Sequence, residues 1–539
     1  MRWIVPFVLC AGMLVLAPPV ASQEARHGAT GDWRTLLAEA LQALEDPDYI
    51  DEANCATVIS AFTEPFYYLP SSAFVPKSAR AIEELRAEGP RLLGVFFRAR
   101  LLLKERFHAF TAPSMACIYA VRRALRYSRF AEDFLADWLH DQGVIGSTPS
   151  GPFSGGYPHT MRNPQFPAIT FEVGDVVVLR NSKVNSAMIA RLGDEEGDYS
   201  HLGLVTKDST GRKYVVEALV EKGTIITPLD KFLAEKSEGR AMLLRYRDRA
   251  LAMRAGRAML WRAALALARG AAIPYNYRFD DRIQSQLYCA QVLEYAYDLA
   301  SHGRVRPPRY RTSLHRLAGT PFLRQLGVYV PEVISPSDVE LDARFDTVAE
   351  WSNIATIRGV RMDNVALTAL YNWFAHGYAF LPNPMTETLA HVGVALIRTG
   401  LVSSFTQRHV PEQTLVVLMK THTVITDYLK QVLTAADRQH RLDYGHSLTF
   451  RELLIVLEIY RRNDCIASRS PMPSQAVTLH RQINVAGGRC PIHLNVDRPS
   501  ILMSDRESDG AVAQDDDGRA PPSGWAALKD EREQIESLH

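Results

Sequence analysis

Leu287-Tyr288-Cys289-Ala290-Gln291-Val292 decides how this chain is read. The residues from Cys289 to Leu299 follow a helical pattern, so the cysteine is expected at a strand-to-helix junction, at the head of that helix. Upstream, Ser200-His201-Leu202-Gly203-Leu204-Val205 sets a histidine on a short strand. A thiolate is the reactive form of cysteine, and a helix N-terminus with an imidazolium beside it lowers a thiol pKa. Cys289 is therefore expected to ionise well below pH 8, and the pair points to a cysteine hydrolase.

Between these two stretches lies Lys213 to Leu219. As a strand it puts Val215, Glu217 and Leu219 on one face, so Glu217 is an acid among apolar neighbours. A carboxylate there is costly unless paired. A hairpin partner carrying His201 would pair it, fixing the imidazole tautomer and turning the other ring nitrogen toward a thiol. The expected catalytic set is Cys289 as nucleophile, His201 as base and Glu217 as the group that orients the ring. The Cys289 amide is expected to help bind the oxyanion, and no spacing names a second donor. Tyr275, Tyr277 and Tyr288 are candidates for lining a substrate pocket. Taken singly, each of these residues also has an ordinary structural reading, as core cysteine, exposed histidine or surface acid.

Around this centre the texture is strand-like: Asp175 to Arg180, Leu202 to Thr206, Gly223 to Thr227 and Ala241 to Tyr246. An amphipathic helix from Leu251 to Arg269 and an aromatic loop from Ile273 to Asp281 follow. Strands followed by helices predict an α+β hydrolase domain over 168–335. Helical periodicity predicts an N-terminal helical domain over 30–145 and a C-terminal one over 336–497. The Gly/Ser/Pro-rich run from Gly146 reads as a linker over 146–167, and the polar end over 498–539 as a disordered tail. The run lacks the Gly-Lys-Ser/Thr ending of a phosphate-binding loop.

The chain has 539 residues, 61 basic and 60 acidic, for a net charge of +1, which gives no broad footprint for nucleic acid or acidic lipid. Residues 1–22 have the three parts of a secretory signal, so export to a periplasm or the exterior is expected, with an uncleaved membrane anchor as the alternative. No later run is as long and charge-free. Export admits disulfides. Pairing Cys55 with Cys117 and Cys465 with Cys490 leaves Cys289 free, against the alternative of five reduced core cysteines. His140, His159, His440 and His446 lack the spacing and partners of a zinc site, so neither metal nor cofactor is implied.

The segment from Phe171 to Tyr297 resembles the permuted papain-like amidases of the YiiX/YebB-like group, relatives of the NlpC superfamily. The likeness rests on Gly174-Asp175, Ser200-His201-Leu202-Gly203, Val216-Glu217-Ala218, Tyr275-Asn276-Tyr277-Arg278-Phe279-Asp280 and Leu287-Tyr288-Cys289, in that order. It implies a circularly permuted papain-like core, a small antiparallel sheet packed on helices, with histidine before cysteine and Cys289, His201 and Glu217 as triad. Where the group usually shows Tyr-Cys-Ser-Glu-Leu-Val, this chain has Tyr288-Cys289-Ala290-Gln291-Val292-Leu293, and Asn276 stands where an aspartate is common. By this analogy the substrate is a cell-wall peptide or an N-acyl compound cut at an amide bond. A lipid acyltransferase or thioesterase on the same fold, and a non-catalytic binding scaffold, are the alternatives. Nothing in the sequence fixes the oligomeric state.

Overall fold

The computed structural model of the protein describes residues 32–145, 152–153, 159–235, 239–402, 410–469 and 479–485. The leader over 1–22, the tail over 498–539 and Cys490 lie outside the described residues, as does most of the run over 146–158.

Five helices come first: α1 (Trp33–Glu45), α2 (Cys55–Tyr68), α3 (Ser71–Phe74), α4 (Ala79–His108) and α5 (Met115–Asp141). Next are β1 (His159–Arg162), β2 (Val176–Arg180), α6 (Val184–Arg191), β3 (His201–Lys207), β4 (Lys213–Leu219), β5 (Gly223–Pro228), α7 (Leu229–Glu235) and β6 (Arg240–Tyr246). Helices α8 (Arg249–Ala268) and α9 (Gln291–Ser301) precede β7 (Thr312–Ser313), α10 (Pro321–Leu326), β8 (Glu332–Val333), α11 (Asp338–Leu341) and β9 (Phe345–Ser352). The remainder is α12 (Ile354–Ala375), β10 (Tyr378–Phe380), α13 (Pro384–Thr399), α14 (Glu412–Thr423), α15 (Lys430–Tyr444), α16 (Phe450–Ser468) and β11 (Ile483–Val485).

The α+β architecture is as expected, built on a seven-stranded sheet in the order β1-β9-β6-β2-β3-β4-β5 with every neighbouring pair antiparallel. Every residue of β2 is buried because both faces of the sheet are covered. On one face Val176, Val178, Leu202, Leu204 and Val216 pack under α8 and α9. On the other, Val177, Leu179, Val205 and Val215 pack with Phe232 of α7 and with Trp351. Helix α8 forms because an alanine-rich sequence repeats its small and apolar residues at helical spacing, with Asp248 capping the Leu251 amide at 2.9 Å.

The contact of α8 with the sheet is close, and two glycines make it so. Gly174 has φ +88, and a Cβ there would fall 2.5 Å from the Ala252 backbone. A Cβ on Gly256 would fall 3.0 Å from the Val205 carbonyl. Asp175, fully buried beside Gly174, is held by Arg245 at 2.8 Å and Arg249 at 3.3 Å. The Gly-Asp pair thus sets the depth of α8 and closes the start of β2.

Three boundaries differ from the sequence reading. Strand β9 lies beyond residue 335 yet sits inside the sheet between β1 and β6, so the sheet runs into the region assigned to C-terminal helices. The predicted linker over 146–167 contains β1 and Phe153, whose ring packs edge-on against Trp351 at 5.2 Å. The helical flanks are also not separate cores. Val184, Ala187 and Met188 of α6 share one apolar cluster with α12, α14 and α16, and Ile354 and Ile357 of α12 join the cluster of α1, α4 and α5.

Cys55 and Cys117 form a disulfide between α2 and α5, with Cα atoms 5.3 Å apart. Cys465 is also disulfide-bonded, while its expected partner Cys490 is outside the described residues. Among the described residues the free cysteine is Cys289, and no helix there is long and apolar enough to cross a membrane.

Candidate active site

Strands β3 and β4 pair from Lys207↔Lys213 to Leu204↔Val216 and then part, while β4 stays on β5 as far as Leu219↔Gly223. The parting frees backbone groups of β3 that a continuing ladder would occupy. The Cys289 sulfur uses them: Sγ donates to the Ser200 carbonyl at 3.7 Å and accepts from the Leu202 amide, together with the amides of Ala290 and Cys289 itself. Cys289 stands two residues before the first turn of α9, as the sequence predicts for a cysteine heading a helix.

His201 and Glu217 meet across the same gap. His201 Nε2 lies 2.7 Å from Glu217 Oε2, so the ring donates from Nε2 to the carboxylate. Among the described residues no hydrogen bond occupies Nδ1. The other carboxylate oxygen, Oε1, accepts from Thr227 Oγ1 at 2.8 Å. His201 and Glu217 are both buried. Gly203 makes room for this, because a Cβ there would strike Val215 Cγ1.

The state of the thiol differs from the sequence expectation. Burial pushes Cys289 up to about 12, and the three amides only partly offset that cost. The resting sulfur is therefore a thiol, hydrogen-bonded to a carbonyl, and not a thiolate paired with an imidazolium.

The three tyrosines have different surroundings. Tyr288 lines a narrow cavity beside Cys289, but its hydroxyl accepts from the Ile334 amide at 3.1 Å and its ring packs edge-on against Phe279. Tyr277 donates to the Val220 carbonyl at 2.8 Å and Tyr275 packs against the Tyr277 ring, both within the core under α8 and α9. Tyr275 is close enough to Cys289 that a charge on either raises the cost of a charge on the other. The cavity holds about 20 Å³, room for one water, with Ile189, Leu192, Phe279, Val333 and Ile334 on its apolar wall.

Two of the departures from the group's usual residues, Asn276 and Gln291, meet each other. Asn276 Nδ2 donates to Gln291 Oε1 at 3.2 Å, and Gln291 Nε2 donates to the carbonyls of Asp281 and Ile283 at 3.1 and 3.0 Å. These two buried amides pin the loop over 274–288 to the head of α9. An amide pair does this without a charge, so the clamp does not titrate.

Sequence reasoning missed Thr227 and the Leu202 amide. Thr227 was within reach: counting back from the Leu219↔Gly223 turn pairs Glu217 with Ile225 and puts Thr227, two residues on, on the Glu217 face. The Leu202 amide has no sequence signal, since it is free only because the ladder stops.

A buried thiol at a helix head, hydrogen-bonded to the backbone on either side of a histidine that a carboxylate holds, brings together the residue types that a cysteine hydrolase uses. Residues 170–317, a little over a quarter of the chain, match the family of permuted papain-like amidase enzymes, YaeF/YiiX, C92 family. This segment is similar to permuted papain-like amidases, and the protein is a cysteine hydrolase. The match contains β2 to β6, α8 and α9 and leaves out β1 and β9. Neither a curated protein nor a solved structure matches the chain.

Proposed function

We propose that the protein is an exported amidase that cleaves N-acyl compounds through Cys289, His201 and Glu217. The observation that carries this reading is the seat of the sulfur in the β3–β4 gap, against the residues flanking His201, with Nε2 already held by Glu217. The side chains that wall the adjoining cavity, Ile189, Leu192, Phe279, Val333 and Ile334, are apolar, the character an acyl group would meet beside the sulfur. The leader over 1–22 supports export.

In this mechanism Cys289 passes its proton to His201 Nδ1 as sulfur attacks the carbonyl carbon. The carbonyl π pair moves onto oxygen, which the Cys289 amide stabilises. Collapse of the adduct breaks the C–N bond, and His201 gives its proton to the departing amine. His201 then takes a proton from water, the hydroxide adds to the thioester, and breakage of the C–S bond restores the thiol. Glu217 holds the ring in the tautomer that keeps Nδ1 basic.

The test is hydrolysis of a panel of N-acyl amino acids, muropeptides and phospholipids by wild type and by Cys289→Ser, His201→Ala and Glu217→Gln. Release of amine from N-acyl substrates is expected, lost in Cys289→Ser and reduced about 10²–10⁴-fold in His201→Ala. Undiminished turnover by Cys289→Ser would place the nucleophile elsewhere. With the thiol at about 12, alkylation by iodoacetamide without substrate should be slow at pH 7 and quicken with rising pH. Fast alkylation at pH 7 would show a preformed thiolate.

A further inference from the structure

Helix α8 has an inner face buried on the sheet and an outer face that its own sequence makes unusual. Five arginines and no acidic residue occur between Arg249 and Arg269. Two are used internally: Arg249 pairs with Glu172 and Asp175, and Arg262 donates to the Tyr295 hydroxyl at 3.4 Å. Arg254, Arg257 and Arg269 are exposed and form no ion pair among the described residues. On the same face Trp261 is 66 % exposed, with Met253 at 40 % and Leu267 at 42 %. At 100° per residue, Met253, Arg257, Trp261, Ala264 and Ala268 fall in one stripe, flanked by Arg254 and Leu267.

The order along the stripe is also informative. Cations at Arg254 and Arg257 and at Arg269 bracket an apolar middle centred on Trp261. An indole has a large apolar body and one N–H, which suits a boundary between water and hydrocarbon. Arginine stems can lie along apolar surface while the guanidinium stays in water beside an anion. A second copy of the chain is a poor occupant, because a two-fold contact would set these arginines against each other. An acidic polypeptide, such as this chain's own Asp515-Asp516-Asp517, would match the charge and leave the indole uncovered.

We propose that the outer face of α8 seats the protein on a bilayer surface containing anionic phospholipid, as a peripheral contact in which Trp261 enters the interface and Arg254, Arg257 and Arg269 meet lipid phosphates. The experiment is flotation of the full chain with vesicles of phosphatidylcholine alone or with one third phosphatidylglycerol. Binding to the anionic vesicles is expected, about 30-fold weaker in the double variant Arg254→Ala/Arg257→Ala and weakened likewise by raised salt. Brominated lipid should quench tryptophan fluorescence in wild type and not in Trp261→Phe. The thermal midpoints of these variants should match wild type, since none of the three side chains is buried. Equal binding to both vesicle types, no binding to either, or quenching retained in Trp261→Phe would overturn the proposal. So would capture by polyglutamate without vesicle binding, which would assign the face to an acidic polypeptide. None of these readouts depends on amidase activity.

Discussion

Helix α8 meets β2 and β3 through Ala252, Ala255 and Gly256, whereas α4 and α5 meet β6 and β9 through Arg100, Arg129 and Glu350. The first contact is dry and close, with Gly174 and Gly256 letting backbones approach. The second is a buried ionic layer. Glu350 of β9 receives Arg129 of α5 at 3.0 Å, Arg100 of α4 at 3.2 Å and Arg240 of β6, while Arg129 also grips Glu340 at 2.6 Å. The dry contact lies inside the segment that matches the amidase family, and the ionic layer joins that segment to strands and helices outside it. The difference teaches a division of labour. Apolar close packing seats α8 and α9 on the sheet beside Cys289, and buried charges tie the flanking helices to it. Such charges contribute little net stability relative to apolar residues, yet one left unpaired is very costly.

The largest effect should come from Glu350→Gln, which removes the carboxylate shared by three buried guanidiniums and leaves Arg100 with Glu132, Arg129 with Glu340 and Arg240 with Asp133, a net excess of buried positive charge at the shared position. Denaturant unfolding should show a loss of about 3–5 kcal/mol, and a loss under 1 kcal/mol would break the comparison. The pH dependence follows from the same contacts. The three arginines hold the Glu350 carboxyl well below the usual range. Its stabilising contribution is complete above the unfolded carboxylate pKa, near 4.5, and is lost as pH falls through the folded value. Acid unfolding should therefore begin below about pH 4.5, with little dependence on salt because the pairs are buried.

On the dry side, Gly174→Ala forces a left-handed backbone onto alanine and a Cβ against Ala252. It should cost about 2–3 kcal/mol and lower amidase activity with it; full stability would mean that α8 can move aside. A smaller effect is expected of Thr227→Val, which removes the hydrogen bond from Thr227 Oγ1 to Glu217 Oε1. A fall in kcat/KM of about five- to tenfold is expected, with the thermal midpoint nearly unchanged. The smallest concerns Lys104, buried beside Thr347 and lowered to about 8 by desolvation. Lys104→Met should leave stability within about 1 kcal/mol of wild type, or raise it, because it removes a charge whose burial is a cost. A loss above 2 kcal/mol would make Lys104 a working member of the ionic layer.

The dry half was the legible half. Strands β3 to β6 fall within a residue or two of the sequence reading because they alternate or run apolar between turn residues. Strand β9 was hidden because one of its buried faces carries Glu350, an acid that reads as a surface residue until its arginine partners are known. Strand β1 was hidden by its length of four residues after a Gly- and Pro-rich run, and α6 by its eight residues. The ionic layer left no sequence signal, since Arg100, Arg129 and Glu350 are far apart in the chain and look like surface charges. In the site, Glu217 could be read from its apolar neighbours. The protonated resting thiol could not, because it follows from how deeply Cys289 is buried.

That buried thiol has a chemical consequence. Oxidation to sulfenic acid requires a thiolate and an approach path for peroxide, and Cys289 at rest provides neither. The protein should therefore keep this thiol reduced through long exposure to oxidants at neutral pH, and lose that protection as rising pH ionises the sulfur.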